Sequence, residues 1–291
     1  MDIVGHQKIL NFFKRSIEKN AISHAYIFSG PSHLGKFNVA LDFAQKITGS
    51  NIKINPDIII ICPEVRENKG ISKEEDIKIE KVRDFIHQLG TTSYSGKYKV
   101  GIIDKAEKMN KSAQNALLKS LEEPMDNVVI VLVASNLEKL LSTIKSRCIL
   151  KKFSLVPDLE IENMLGNAEN KNDILFWSLG RPGLAKKLME NKEEVEKRQE
   201  ARKELSELCS LNISERISLA EKMSKDTPAL IEKLDWWLVS LRDSILGGKE
   251  NFLFSRNKLL SLIDKIEESA IKIKETNSNP KLVIENLLIE F

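Results

Sequence analysis

The chain has 291 residues with 42% hydrophobic and 30% charged side chains, so it is expected to form two or three compact units, and a disordered chain is excluded. Its 45 Lys and Arg against 42 Asp and Glu leave a net charge of +3, which excludes a strongly basic DNA wrapper and offers little direct DNA affinity. The opening MDIVGHQK carries an acid and neither an apolar core nor a cleavage site, and no apolar stretch exceeds a buried strand, so a cytoplasmic chain without a membrane span is expected.

The first predicted strand is AYIFS from residue 25, and it runs into FSGPSHLGKFN at 28–38. Gly30, Gly35 and Lys36 there fit G-x-x-x-x-G-K, a loop whose backbone N–H groups converge on phosphate oxygens at a helix N-terminus. The context suits it, because a helix with Phe37, Ala40, Phe43, Ala44 and Ile47 on one face is predicted to follow. Phe37, however, stands where a Ser or Thr hydroxyl would bind Mg²⁺, and His33 and Leu34 are bulky where small residues allow close approach.

Three further strands are expected at DIIIIC from 57, YKVGIID from 98 and NVVIVLVAS from 127, all near-continuous apolar runs that suit a parallel sheet covered on both faces. Asp104 ends the second of these, where an acid could hold a metal ion. Its neighbour, where a carboxylate would polarise attacking water, is Lys105, which is no base at neutral pH. Between the third and fourth strands Asn110 is expected to cap KSAQNALLKSLEE, with Ala113, Ala116, Leu117 and Leu121 as its apolar stripe and Pro124 as its stop.

STIKSRCIL follows the fourth strand. Arg147 in it reads either as a surface arginine or as a finger that reaches a neighbour's γ-phosphate, and residue physics leaves both open. From FSLVPD at 153 onward Leu, Ile and Met recur at helical spacing, so the rest is expected to be all-α. A small helical unit should end in LGRPGLAKKLMEN, and a second should begin near KEEVEKRQEARKELSEL, a solvated helix face with pairs such as Glu193 and Lys197. Trp236 and Trp237 are expected to point in different directions, one to the core and one to a partner helix. Cys62, Cys148 and Cys209 make neither a disulfide framework nor a metal knuckle, and the four histidines show no ligand spacing.

IVGHQKILNFFKRSIEKNAISHAYIFSGPSHLGK, NALLKSLEEP and LEKLLSTIKSRC resemble, in order and spacing, the bacterial clamp-loader branch of the AAA+ ATPases, specifically over residues 2–153. The resemblance implies an α/β P-loop, RecA-like domain over residues 1–153, a helical lid domain over 154–191 around LGRPGLA, and an all-α collar domain over 192–291. It implies that Ser146, Arg147 and Cys148 form the motif that supplies an arginine finger in trans, that Ser135 and Asn136 stand at the sensor 1 position, and that Arg181 stands near sensor 2. Lys36-Phe37 and Asp104-Lys105 replace the G-K-[ST] and D-E of ATP-hydrolysing gamma/tau subunits, so the resemblance points to the delta prime branch, the loader's stator.

Such a chain would be a non-catalytic subunit of DNA polymerase III, a DNA-directed DNA polymerase. It would assemble with gamma/tau and delta, and act on the sliding clamp and primed DNA through the complex. A gamma/tau-like subunit that hydrolyses ATP is the alternative, and whether the loop still holds ATP or ADP stays open. Many relatives insert a four-cysteine zinc module after the P-loop helix, whereas TGSNIKINPDIIIICPEVRENKG holds only Cys62, so no zinc is expected.

Overall fold

A computed structural model describes residues 3–49, 55–68, 71–94, 97–247, 255–276 and 278–291. The chain divides into two compact units, Met1–Met189 and Glu190–Phe291. Residues 154–189 thus belong to the same unit as the sheet.

The first unit opens with helix α1, Gln7–Glu18, and strand β1, Ala25–Ser29, then helix α2, Lys36–Thr48, and strand β2, Ile58–Ile61. A hairpin of β3, Val65–Asn68, and β4, Ile71–Glu74, precedes α3, Ile79–Leu89, and β5, Lys99–Ile103. Helix α4, Lys111–Glu122, leads to β6, Val128–Ala134, the single turn α5, Ser142–Lys145, and β7, Ile149–Lys152. Five strands form one parallel sheet in the order β2-β5-β6-β1-β7.

Alternation along the strands divides the core between two faces, as parallel strands covered by helices require. Ile27, Ile103, Ile130 and Leu132 pack with Phe85, Leu117 and Leu121 on the α3 and α4 side. Tyr26, Phe28, Ile102 and Val131 pack with Phe13, Val39, Phe43 and Ile47 on the α1 and α2 side. All four expected strands are present. The sequence reading lacked β7 and the antiparallel hairpin of β3 and β4, in which Val65 faces Glu74. Neither has the apolar run of a buried strand: the hairpin is VREN and ISKE, and β7 is ILKK at the sheet's edge.

The expected cap of α4 is present, with the Asn110 side chain accepting the Ala113 N–H at 2.8 Å, a contact worth about 1 kcal/mol. The helix stops at Glu122, two residues before Pro124. Ala113, Leu117 and Leu121 face the core as expected. They are joined by Gln114, which is 3% exposed.

Helices α6, Asp158–Leu165, α7, Lys171–Ser178, and α8, Pro182–Glu190, complete the first unit. The first turn of α8 lies against the phosphate loop, where the Gly183 N–H donates to the His33 carbonyl at 2.8 Å. A Cβ at residue 183 would come within 2.8 Å of that oxygen, so only glycine permits the approach.

The second unit is helical throughout its described residues: α9, Lys192–Glu207, α10, Ile213–Met223, α11, Thr227–Ile245, α12, Arg256–Glu275, and α13, Pro280–Ile289. Glu193 pairs with Lys197 at 2.7 Å on the solvated face of α9, as expected. Trp237 is fully buried and donates its indole N–H to the Ala201 carbonyl at 2.8 Å. Trp236 is half-buried at the rim of the same core, with the Arg198 guanidinium 5.4 Å from its ring. The tryptophans do diverge, and both pack within this unit. Among the described residues, no helix is long and apolar enough to cross a membrane.

Candidate functional site: the phosphate loop and Arg147

Strand β1 ends at Ser29, and the loop to α2 closes over the C-terminal edge of the sheet, where ligands bind in open α/β folds. Gly30 is held tightly here, since a Cβ on it would fall 2.3 Å from the Phe153 carbonyl oxygen. Gly35 takes a left-handed conformation, φ 81°, immediately before α2. Leu34 turns into the core at 1% exposure and leaves His33 at the surface in a left-handed conformation.

Lys36 is buried at 5% exposure. Its ammonium donates to the carbonyls of Gly30 and Pro31, each at 2.6 Å, and at 3.4 Å to the Ser135 hydroxyl. Burial lowers its pKa, an effect the Glu107 and Asp104 carboxylates offset in part. The lysine thus points back into its own loop. Binding a phosphate there would exchange two carbonyl acceptors for phosphate oxygens.

Around it lies a cavity of about 300 Å³ bounded by Ser32, Lys36, Phe37, Asp104, Lys105 and Gly183. Asp104 follows β5, and burial raises its pKa. Lys105, in a left-handed conformation with φ 51°, ion-pairs with Glu74 at the end of β4. Partial burial, reinforced by Lys187, Arg181, Lys105 and Lys36, lowers the His33 pKa. Phe37 is half-buried at the edge of the α2 core, which agrees with its expected apolar role.

The donor set suits a phosphate better than it suits a magnesium nucleotide poised for hydrolysis. Lys36 lines the cavity and can exchange its carbonyl partners for phosphate oxygens, whereas Phe37 has no hydroxyl for a metal and Lys105 has no carboxylate for water. Among the described residues, no group of three or more His, Cys, Asp or Glu side chains could hold a metal ion.

Of the two sensor 1 candidates, Ser135 belongs to this cavity and Asn136 does not. Ser135 meets Ser32 at 3.1 Å, while Asn136 accepts the Glu138 N–H at 2.9 Å and caps the following turn. Arg181 contributes its charge to His33 from the start of α8, and its Nε is buried without a hydrogen-bond partner. One residue that sequence reasoning missed is Glu107, which accepts the Ser135 N–H at 3.1 Å and faces Lys36 electrostatically. Its only signal was an acid three residues after Asp104.

Arg147 lies elsewhere. Tyr26 pairs with Ile149 and Ser29 with Lys152, so along this register Arg147 is level with His24, at the other end of β1 from Gly30. At ~3.3 Å per residue the two ends are about 20 Å apart, beyond the reach of an arginine side chain. The Arg147 guanidinium contacts Glu122 at 2.7 Å and the Thr143 carbonyl at 2.9 Å. Ser146 caps the same turn, donating to Thr143 O at 3.0 Å. Cys148 packs against the core, and burial pushes its thiol up to about 12. Ser146, Arg147 and Cys148 therefore divide into a cap, a partly exposed cation and an apolar anchor.

A model of the family described as DNA polymerase III, delta subunit, matches residues 5–157. The tau/gamma subunit of Haemophilus influenzae is 28% identical over 197 residues, covering 64% of this chain and 28% of that protein. The delta' subunit of Pseudomonas aeruginosa is 33% identical over 144 residues, covering 44% of this chain and 42% of that protein. The chain thus spans less than half the length of both relatives. A gamma subunit-related protein of Thermotoga maritima superposes with a TM-score of 0.53 at 23% identity, over 96% of this chain and 97% of that one, a likeness of fold. The match to more than half of the chain, joined to the parallel P-loop sheet, shows that the chain belongs to the DNA polymerase III delta subunit family, among the clamp-loader AAA+ proteins.

Proposed function

We propose that the chain is a delta prime-type stator of the clamp loader, one that does not hydrolyse ATP and lends Arg147 to the nucleotide of an adjacent ATPase subunit. The observation that carries this reading is the placement of Arg147 at the opposite end of the sheet from its own phosphate loop, with a side chain 34% exposed. A guanidinium so placed serves a phosphate on another molecule better than one on its own chain. There it would offset the charge that develops on the transferred phosphoryl group. Its own cavity has an apolar Phe37 at the metal position and a Lys105 committed to Glu74.

In this reading the partners are gamma/tau and delta subunits, and the sliding clamp and primed DNA are engaged through the assembled complex. The chain carries no zinc, because the stretch where relatives hold four cysteines has only Cys62. Zinc in stoichiometric amount in the purified protein would refute that part.

Turnover by the isolated chain and by the reconstituted loader tests the proposal. The chain alone should show no magnesium-dependent ATPase activity, and adding it to the other subunits should raise theirs. The gamma/tau-like reading, favoured by the identity to the Haemophilus influenzae protein, requires the reverse: clear magnesium-dependent turnover by the pure chain.

A further inference from the structure

The Arg147 guanidinium is held from two directions before any partner is present. Nη2 meets Glu122 Oε1 at 2.7 Å, and Nη1 donates to Thr143 O at 2.9 Å and more loosely to Ser146 Oγ at 3.4 Å. Glu122 is the last residue of α4, so the helix end sets the position from which its side chain reaches Arg147. Thr143 lies in the turn that roots Arg147, whose own N–H donates to Ile144 O at 3.1 Å.

Glu122 is 49% exposed and Arg147 34% exposed, so water screens the pair and it adds little to folding stability. Its effect is on direction. A free arginine side chain samples many rotamers, and binding a phosphate would have to freeze them. Here that ordering is done in advance. Both hydrogen bonds of the guanidinium come from Nη1, so N–H groups on Nε and Nη2 remain for a phosphate oxygen.

We propose that Glu122 is a positioning residue for Arg147: its carboxylate oxygen orients the guanidinium so that the unused N–H groups meet the phosphate of a nucleotide on the adjacent subunit. This inference rests on the finger reading above. It also gives a role to the acid that closes the apolar stripe of NALLKSLE.

The test is a double-mutant cycle in the reconstituted loader, with kcat and KM for ATP measured for Glu122→Ala, Glu122→Gln, Arg147→Ala and the combination of Glu122→Ala with Arg147→Ala. Gln keeps the acceptor oxygen and drops the charge, so it separates orientation from electrostatics. Positioning predicts that Glu122→Ala lowers kcat by about fivefold with KM unchanged, that Glu122→Gln recovers most of the loss, and that Glu122→Ala adds nothing once Arg147 is Ala. Three results would overturn it: both Glu122 variants at or above wild-type turnover, no recovery by Gln, or an equal loss with and without Arg147. Should Arg147→Ala itself leave turnover unchanged, the finger reading fails, and the role of Glu122 falls with it. Chromatography of the assembled complex and its melting temperature confirm that each variant is folded and incorporated.

Discussion

Gln114 on α4 accepts the Leu141 N–H at 2.8 Å while its own amide donates to the carbonyls of Met109 at 3.0 Å and Lys139 at 3.1 Å. One buried side chain thereby ties α4 to the segment that leads into α5 and Arg147. Gln114→Leu keeps the volume roughly constant but leaves buried backbone groups unpaired. It should cost about 2–3 kcal/mol, read as a lower urea midpoint for the sheet unit. An unchanged midpoint would show that the segment finds other partners.

Asp104 titrates against the fold. Burial raises its pKa above the ordinary 3.8, so the folded state disfavours the carboxylate. The destabilisation is complete above the raised pKa and is relieved as pH falls through it towards the unfolded value. Asp104→Asn should therefore raise the denaturation midpoint at pH 7.5, with the gain shrinking as pH is lowered towards the ordinary 3.8. A destabilised variant at pH 7.5 would mean that attraction to Lys36 and Lys105 outweighs the burial.

The two cysteines of the sheet unit should differ in reactivity. Cys62 is exposed, whereas Cys148 packs against the core with a thiol pushed up to about 12, leaving almost no thiolate at pH 8. Iodoacetamide at pH 8 followed by peptide mapping should find Cys62 alkylated and Cys148 intact in the native protein. Comparable labelling of both would contradict the packing described for Cys148.

Gly101 in the middle of β5 marks a close approach. A Cβ there would fall 2.3 Å from the tip of the Phe85 ring and 2.8 Å from Leu89, so Gly101→Ala should overpack the sheet against α3 and cost about 1–3 kcal/mol by chemical denaturation. Wild-type stability would show that Phe85 can turn aside.

What could be read in the residues had a local cause. Strands β1, β2, β5 and β6 are apolar runs, and Asn110 is a cap followed by an amphipathic helix, so both were visible from spacing. The failing letters of the nucleotide site, Phe37 and Lys105, were visible because the chemistry of a hydroxyl or a carboxylate belongs to one residue. Edge strand β7 and the hairpin of β3 and β4 were not, since charged edge strands lack the apolar signal of central ones. Nor could spacing show that Lys36 turns to the carbonyls of Gly30 and Pro31, that Glu107 reaches Ser135, or that Glu122 meets Arg147 from 25 positions away. Those contacts depend on how distant segments meet at the ends of the sheet.

In the proposed function Arg147 acts on a neighbour's nucleotide. The most direct measurement is clamp- and DNA-stimulated ATPase activity of the reconstituted loader with Arg147→Ala in this chain and every other subunit unaltered. Turnover should fall by at least about tenfold while the complex still assembles, the loss of a group that offsets transition-state charge. Wild-type turnover from a fully assembled complex carrying Arg147→Ala would show that Arg147 does not act on the neighbour's nucleotide.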